Sequence, residues 1–170
     1  MFVLDESQIA EYQQNKPEYY RQLAVQLEAL LAEDTHWVTN LSQMSAFIFQ
    51  MLPELNWSGF YLVNPNNPQA LILGPYQGKV ACVHIPFGRG VCGTAAQTQE
   101  TQLVMDVHAF DGHIACDGDT NSEVVIPIMV DHQLIGVLDI DSPKLERFDQ
   151  QDADGLVSLI KVLIKQTSFN

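Results

Sequence analysis

The chain has 170 residues, 46% of them apolar, and carries a net charge of −13 with only eight basic residues. That length suits one domain with a single core that needs no metal or disulfide support, and the apolar fraction is ordinary for a globular protein. The charge argues against nucleic acid and against anionic membrane surfaces, because a phosphate-binding face needs clustered Lys and Arg.

Taken in chain order, the first third reads as helix. "PEYYRQLAVQLEALLAE" puts Tyr20, Leu23, Leu27, Leu30 and Leu31 on one helical stripe, with Pro17 suited to a first turn. A second stripe runs through Val38, Leu41, Ser45, Ile48, Phe49 and Leu52, with Asp34 or Thr35 to cap it and Pro53 to stop it. Together they place N-terminal helices over about 17–52.

From residue 57 to 141 the period is strand-like. "WSGFYLV" and "ALILGPY" flank the turn-rich "NPNNPQ" and read as a hairpin with a long loop. "ACVHIPF" and the shorter "TQLVMDV" are a third and a fourth strand, and "EVVIPIMV" and "QLIGVLDID" form a second hairpin around "DH". A last amphipathic helix covers about 149–166, with Asp149 as its cap. Helices at both ends with antiparallel hairpins between them predict one α+β domain over 1–170, without repeat, low-complexity tract or linker.

Four features bear on chemistry. "GRGVCG", residues 88–93, matches G-x-G-x-x-G, but the helix after it spans only about two turns, too short for a dinucleotide-binding crossover. A tight turn between strand and helix explains it better. In "LIGVLDID", Leu134, Gly136, Leu138 and Ile140 share one apolar face, while Ile135 and Val137 lead to Asp139 and Asp141 on the other. Two carboxylates that close raise one pKa and suit a proton donor near neutral pH; the plainer reading is two solvated aspartates at a strand end.

The third feature is the cysteines. The N-terminus "MFVLDESQ" lacks a basic leader segment, and no apolar run approaches the roughly 18 residues of a membrane span, so a cytoplasmic setting is expected. There disulfides are usually catalytic or redox-sensing. Cys82, Cys92 and Cys116 are odd in number and match no paired zinc-ligand spacing, so no metal is expected. Cys82 and His84 would share a strand face, and Cys92 opens a helix whose dipole favours its thiolate. Cys116 stands apart: it lies in the polar loop "FDGHIACDGDTNSEVV" near His113, where binding and catalytic residues concentrate. The fourth feature, Trp57 and Tyr61 on one strand face, would ordinarily be core.

"IPFGRGVCGTAAQTQE", "VVIPIMVDHQLIGVLDIDS" and a terminal helix together resemble the GAF domain, a small-molecule-binding α+β fold. Adding "WSGFYLV", "ACVHIPF" and "HIACDGDTNSEVVIPI", the chain from about residue 20 onward resembles the free methionine-(R)-sulfoxide reductases, a GAF family. The resemblance implies Cys116 as the catalytic cysteine, Cys82 as the resolving one, and Cys92 as a third that can join disulfide exchange. It implies Glu123, Asp139 and Asp141 as ligands for the polar parts of the substrate, Trp57 and Tyr61 as its aromatic wall, and the backbone at Ile114 and Ala115 as part of the cradle. It further implies no bound cofactor, thioredoxin (fed ultimately by NADPH) as reductant, and a homodimer through terminal helices. A GAF sensor for a small ligand and a thiol redox sensor without turnover are the competing readings; a sensor would need an output domain, for which 170 residues leave no room.

One geometric expectation follows. A three-residue loop from Asp131 to Gln133 pairs Glu123 with Asp141 and Val125 with Asp139, on one face. A two-residue turn at Asp131 and His132 pairs Val130 with Gln133 and turns Glu123 away, because a one-residue slip inverts the face. From the loop before the strand, Glu123 could still reach the pocket.

Overall fold

The computed structural model describes residues 2–170. Three helices lead: α1 (Glu6–Gln14), α2 (Lys16–Leu31) and α3 (Trp37–Met51). The first of these precedes the expected helices over 17–52, and its start is set by a capping box: Asp5 accepts from the amides of Ser7 and Gln8, and Gln8 accepts from the Asp5 amide. Asn15 then caps α2, with Pro17 in its first turn. Neither Asp34 nor Thr35 caps α3. His36 holds that position without a side-chain bond, while Asp34 accepts from the His36 amide at 2.9 Å.

The sheet comprises β1 (Trp57–Asn64), β2 (Asn67–Gly78), β3 (His84–Pro86), β4 (Gln102–Val104), β5 (Ser122–Val130) and β6 (Gln133–Ser142), all antiparallel, in spatial order β3-β2-β1-β6-β5-β4. A short α4 (Gly90–Thr98) lies between β3 and β4, and α5 (Gln150–Gln166) closes the chain. Asp149 caps α5 as expected, in a second capping box with Asp152. Among the described residues no helix is long and apolar enough to cross a membrane.

Two strand expectations need correction. The first hairpin has a tight connection, because Asn64 pairs with Asn67 and its side chain accepts from the Asn66 amide. In "ACVHIPF" only His84–Pro86 pairs with β2, so Cys82 lies outside the strand and does not share a face with His84.

The alternation of β1, β5 and β6 divides the interior. Phe60, Val124, Ile126, Ile128, Leu138 and Ile140 face the first layer and pack with Leu23, Leu27, Leu41, Ile48, Leu156 and Leu159 of the long helices. Full burial of each such side chain contributes about 1.5–3 kcal/mol, which makes this layer the main store of stability. Trp57, Tyr61, Val125 and Val137 face the other way, against Ile85 and the α4 residues Val91, Cys92, Ala95 and Ala96.

The β5–β6 hairpin decides which face the carboxylates occupy. Its turn has two residues: Asp131 and His132 both take positive φ, +50° and +63°, and Val130 pairs with Gln133. Taken alone, that turn would rotate Glu123 away. A bulge intervenes, since Ile128 pairs with Gly136 but Met129 pairs with Leu134, leaving Ile135 as an extra residue. Glu123 is thereby returned opposite Asp141, and Val125 opposite Asp139. The same bulge exchanges the expected sides of two residues: Leu134 joins the α4 layer and Ile135 the long-helix layer.

Candidate active site

A pocket opens on the α4 side of the sheet, with Trp57, Tyr61, Cys92, Glu123, Asp139, Asp141, His113, Ile114 and Cys116 among its walls. Strand register builds its floor. Trp57, Asp141 and Glu123 form one row across β1, β6 and β5, and Asp139 sits in the next row beside Gly59. A side chain at Gly59 would run into Tyr76, whose Cβ lies 2.2 Å from the added carbon, so only glycine lets Tyr76 of β2 pack this closely on β1. Trp57 stacks between Tyr61 at 5.8 Å and Tyr76 at 5.1 Å, centroid to centroid. Tyr76 was not foreseen; it comes from β2, and nothing local in the sequence marks it.

The carboxyl groups are far from solvated strand-end aspartates. Glu123 and Asp139 are each 6% exposed. Burial, with Asp141 close by, pushes the Glu123 carboxyl up to about 8. Burial and the Glu123 charge push Asp139 well above the usual range, and burial and Asp139 do the same to Asp141. Among the described residues no lysine or arginine pairs with these three. The nearest base is His113, whose Nε2 is 3.7 Å from Glu123 Oε2, and burial lowers its own pKa. One oxygen of Asp139 and one of Asp141 are buried without a hydrogen-bond partner. A buried acceptor left unpaired costs about 1–3 kcal/mol, so the pocket is built to receive a donor.

The three cysteines differ in bonding and burial. Cys82 and Cys116 form a disulfide with Cα atoms 5.7 Å apart, joining the segment after β2 to the loop before β5. Cys92 is free and buried. Its thiol donates to Glu123 Oε1 at 3.9 Å, and burial beside Asp139 and Glu123 raises its pKa well above normal. That reverses the helix-dipole expectation, because burial and two carboxylates outweigh one helix terminus. Donor atoms of Cys92, Glu123 and Asp139 lie within 4.8 Å of one another; burial raises the pKa of all three, so a metal ion there would have to displace their protons.

The glycine-rich turn is explained by packing. Gly90 has φ +61°, and a Cβ there would meet Ile114 at 3.1 Å; one at Gly93 would lie 2.4 Å from the Pro86 carbonyl. The glycines let α4 and the Cys116 loop close on the sheet, and Ile114 seals the pocket while Ala115 stays exposed. The loop is fastened by Asp117, which accepts from the Asp119 amide at 2.9 Å and from Asn56 Nδ2 at 3.1 Å, and pairs with Lys79 at 3.6 Å. Asn56 also donates to Thr120 at 3.0 Å. Asn56, Lys79 and Thr120 escaped the sequence reading because their partners are distant in the chain.

A six-stranded antiparallel sheet with long helices on one face and a pocket beside a short helix on the other is GAF architecture. Residues 38–162 match the GAF domain family, and the chain belongs to it. Within that family its relatives are particular. The chain is 49% identical over 151 residues to the free methionine-R-sulfoxide reductase of Escherichia coli (strain K12), covering 89% of this chain and 90% of that one. It is 47% identical over 160 residues to the Saccharomyces cerevisiae protein of the same name, covering 91% and 89%. The crystal structure of the Neisseria meningitidis enzyme in complex with its substrate superposes with a TM-score of 0.86 at 42% identity, over 98% of this chain and 95% of that one. The motif resemblance to the free methionine-(R)-sulfoxide reductases thus extends to sequence and fold over most of the chain.

Proposed function

We propose that this chain reduces free L-methionine-(R)-S-oxide to L-methionine, with Cys116 as nucleophile and Cys82 as resolving thiol. The observation that carries the reading is the meeting, in one pocket, of the Cys82–Cys116 disulfide with three carboxyl groups, Glu123 and Asp139 buried and Asp141 half-buried, none of them paired with a lysine or arginine among the described residues. An amino-acid substrate supplies the missing cation. Its ammonium group donates to the unpartnered oxygens of Asp139 and Asp141, and its arrival favours ionisation of the carboxyls it touches. Trp57 and Tyr61 wall the methylthio end, and the backbone at Ile114 and Ala115 faces the amino-acid carboxylate.

The chemistry uses two thiols in turn. The sulfoxide sulfur is electrophilic, but its oxygen leaves only when protonated. Cys116 thiolate attacks sulfur while a carboxyl kept neutral near pH 7, for which Glu123 is suited, protonates the oxygen. Methionine departs and Cys116 is left as a sulfenic acid. Cys82 attacks that sulfur, water is released, and the disulfide forms. A dithiol, thioredoxin in the family resemblance, returns two electrons and two protons.

The test is incubation of the reduced protein with racemic free methionine sulfoxide and dithiothreitol, with methionine quantified. At most half the racemate is consumed, and methionine sulfoxide inside a peptide reacts far more slowly, because an uncharged amide leaves the acidic cluster unpaired. Equal rates on the free amino acid and an internal peptide residue would defeat the reading.

A further inference from the structure

Reduction of the disulfide requires a second protein to reach it, and the surface around Cys82 is unlike the rest of the pocket rim. The segment "KVACVH", residues 79–84, carries two of the most exposed large apolar side chains, Val80 at 85% and Val83 at 53%, on either side of Cys82. An exposed valine alone needs no explanation. Here two of them bracket one half of a disulfide, in a segment held in place by its backbone. Trp57 Nε1 donates to the Lys79 carbonyl at 3.1 Å, Tyr61 Oη to the Cys82 carbonyl at 2.9 Å, and the Leu73 amide to the Val83 carbonyl at 2.9 Å. The side chains are therefore presented on a fixed frame, which lowers the ordering cost of docking.

Apolar cover, not charge, distinguishes the two sulfurs. They are bonded to each other, and Lys79 pairs with Asp117 and Asp119, so the carboxylates of the Cys116 loop lie close to both. The chain on either side of Cys82 presents valines, whereas Cys116 is followed by Asp117 and Asp119.

We propose that the segment 79–84 is the docking face for the reducing partner, a protein dithiol with an apolar rim around its reactive cysteine, and that this partner attacks Cys82 and not Cys116. The inference rests on the reductase reading above. In the first step the partner's thiolate bonds to Cys82 Sγ, the Cys82–Cys116 bond breaks, and its electron pair leaves on Cys116 Sγ, which takes a proton. The partner's second thiol then loses its proton and attacks the partner sulfur of the mixed disulfide. Cys82 leaves as thiolate and is protonated, and the partner ends as a disulfide.

The experiment compares two reductants on the full chain, with thioredoxin and its reductase in one arm and dithiothreitol in the other. Val83 is the probe, because it does not line the substrate pocket. For Val83→Asp, kcat/KM for thioredoxin falls about tenfold or more, as for loss of a central apolar contact. The isosteric Val83→Thr loses about threefold, and dithiothreitol-driven turnover of both stays within about twofold of the parent. A misfolded variant would lose both activities, and Val83→Thr then carries the comparison. Thioredoxin lacking its second cysteine, added to the oxidised chain, is trapped on Cys82 and located by peptide mass spectrometry. Parental thioredoxin kinetics in Val83→Asp, or a trapped link on Cys116, would overturn the proposal. Turnover of the parent with dithiothreitol but not thioredoxin would also overturn it, whereas no turnover with either reductant would defeat the reductase reading itself.

Discussion

On the proposed mechanism, loss of Cys116 and loss of Cys82 remove different steps, and single-turnover measurements separate them. Cys116→Ser forms no methionine even at stoichiometric substrate. Cys82→Ser releases about one equivalent and then stalls with Cys116 oxidised, unless exchange with Cys92 rescues it. Cys92 is poorly placed for that rescue, being buried and held protonated by its acidic neighbours. Peptide mass spectrometry after one turnover checks the order; a full first turnover by Cys116→Ser would reassign the nucleophile. Glu123 carries a second residue-scale prediction. Its folded pKa, about 8, lies above the ordinary 4.5, so the folded state binds more protons than the unfolded state between these values. Stability from this group is fully present below about pH 4.5 and is lost as pH rises through about 8. Glu123→Gln, which cannot ionise, matches the parent below about pH 4.5 and is more stable at about pH 9, on the order of 2 kcal/mol once water entry is allowed for. Thermal unfolding of the ligand-free proteins across that range measures it; parallel pH curves for the two would refute the assignment.

At the scale of elements, the helix layer depends on one close crossing. Tyr20 of α2 lies over Gly155 of α5, where an added Cβ would meet the ring at 2.1 Å. The ring cannot retreat freely, because its hydroxyl donates to buried Asp152 at 2.9 Å. Asp152 also accepts from Tyr12 at 2.6 Å and from Lys16 at 2.8 Å, so α1, α2 and α5 meet on one carboxylate. Helix propensity alone favours alanine at Gly155 by about 1 kcal/mol. Overpacking costs about 1–3 kcal/mol or more when neighbours cannot shift. Gly155→Ala is therefore destabilising by about 2 kcal/mol, read from the midpoint of urea unfolding with an unchanged slope. The β6 bulge makes a matching point for the site. Deleting Ile135 leaves the pairing of Glu123 with Asp141 in place, because a two-residue turn then runs into a regular ladder. That variant keeps its substrate affinity while losing some core packing, and loss of binding would show that the bulge does more than set register.

At the scale of the whole molecule, stability and chemistry are divided between the two faces of the sheet. The long helices bury their apolar stripes on one side, and the pocket, α4 and the disulfide loops occupy the other. The disulfide closes a loop of 34 residues between these segments. Loop-closure entropy bounds its contribution to about 4 kcal/mol. Reduction accordingly lowers the unfolding temperature, and hydrogen exchange rises in residues 79–83 and 111–121 while α2, α3 and α5 remain protected. Uniform loss of protection across both layers would show that the bridge holds the core as well.

The long helices, the strand-rich middle, the Asp149 cap and the motif that marks the family are legible in the residues alone, because each is a local pattern of period, cap or turn chemistry. Cys116 is legible there too, since a cysteine in a polar loop has no packing role to explain it. Other local signals were present and went unread: the Asp5–Gln8 capping box announced α1. How distant residues share space emerges only in the folded chain. The bulge at Ile135 returns Glu123 to the face of Asp139 and Asp141 despite the two-residue turn, and no local pattern announces a bulge. Cys92 changes from an activated thiol at a helix start to a buried, protonated one, because β5 and β6 bring carboxyls against it. Tyr76, Asn56, Lys79 and Thr120 enter the site by pairing across dozens of residues. Pocket polarity and pKa depend on burial and on neighbours through space, and those are fixed only when the sheet has closed over its two layers.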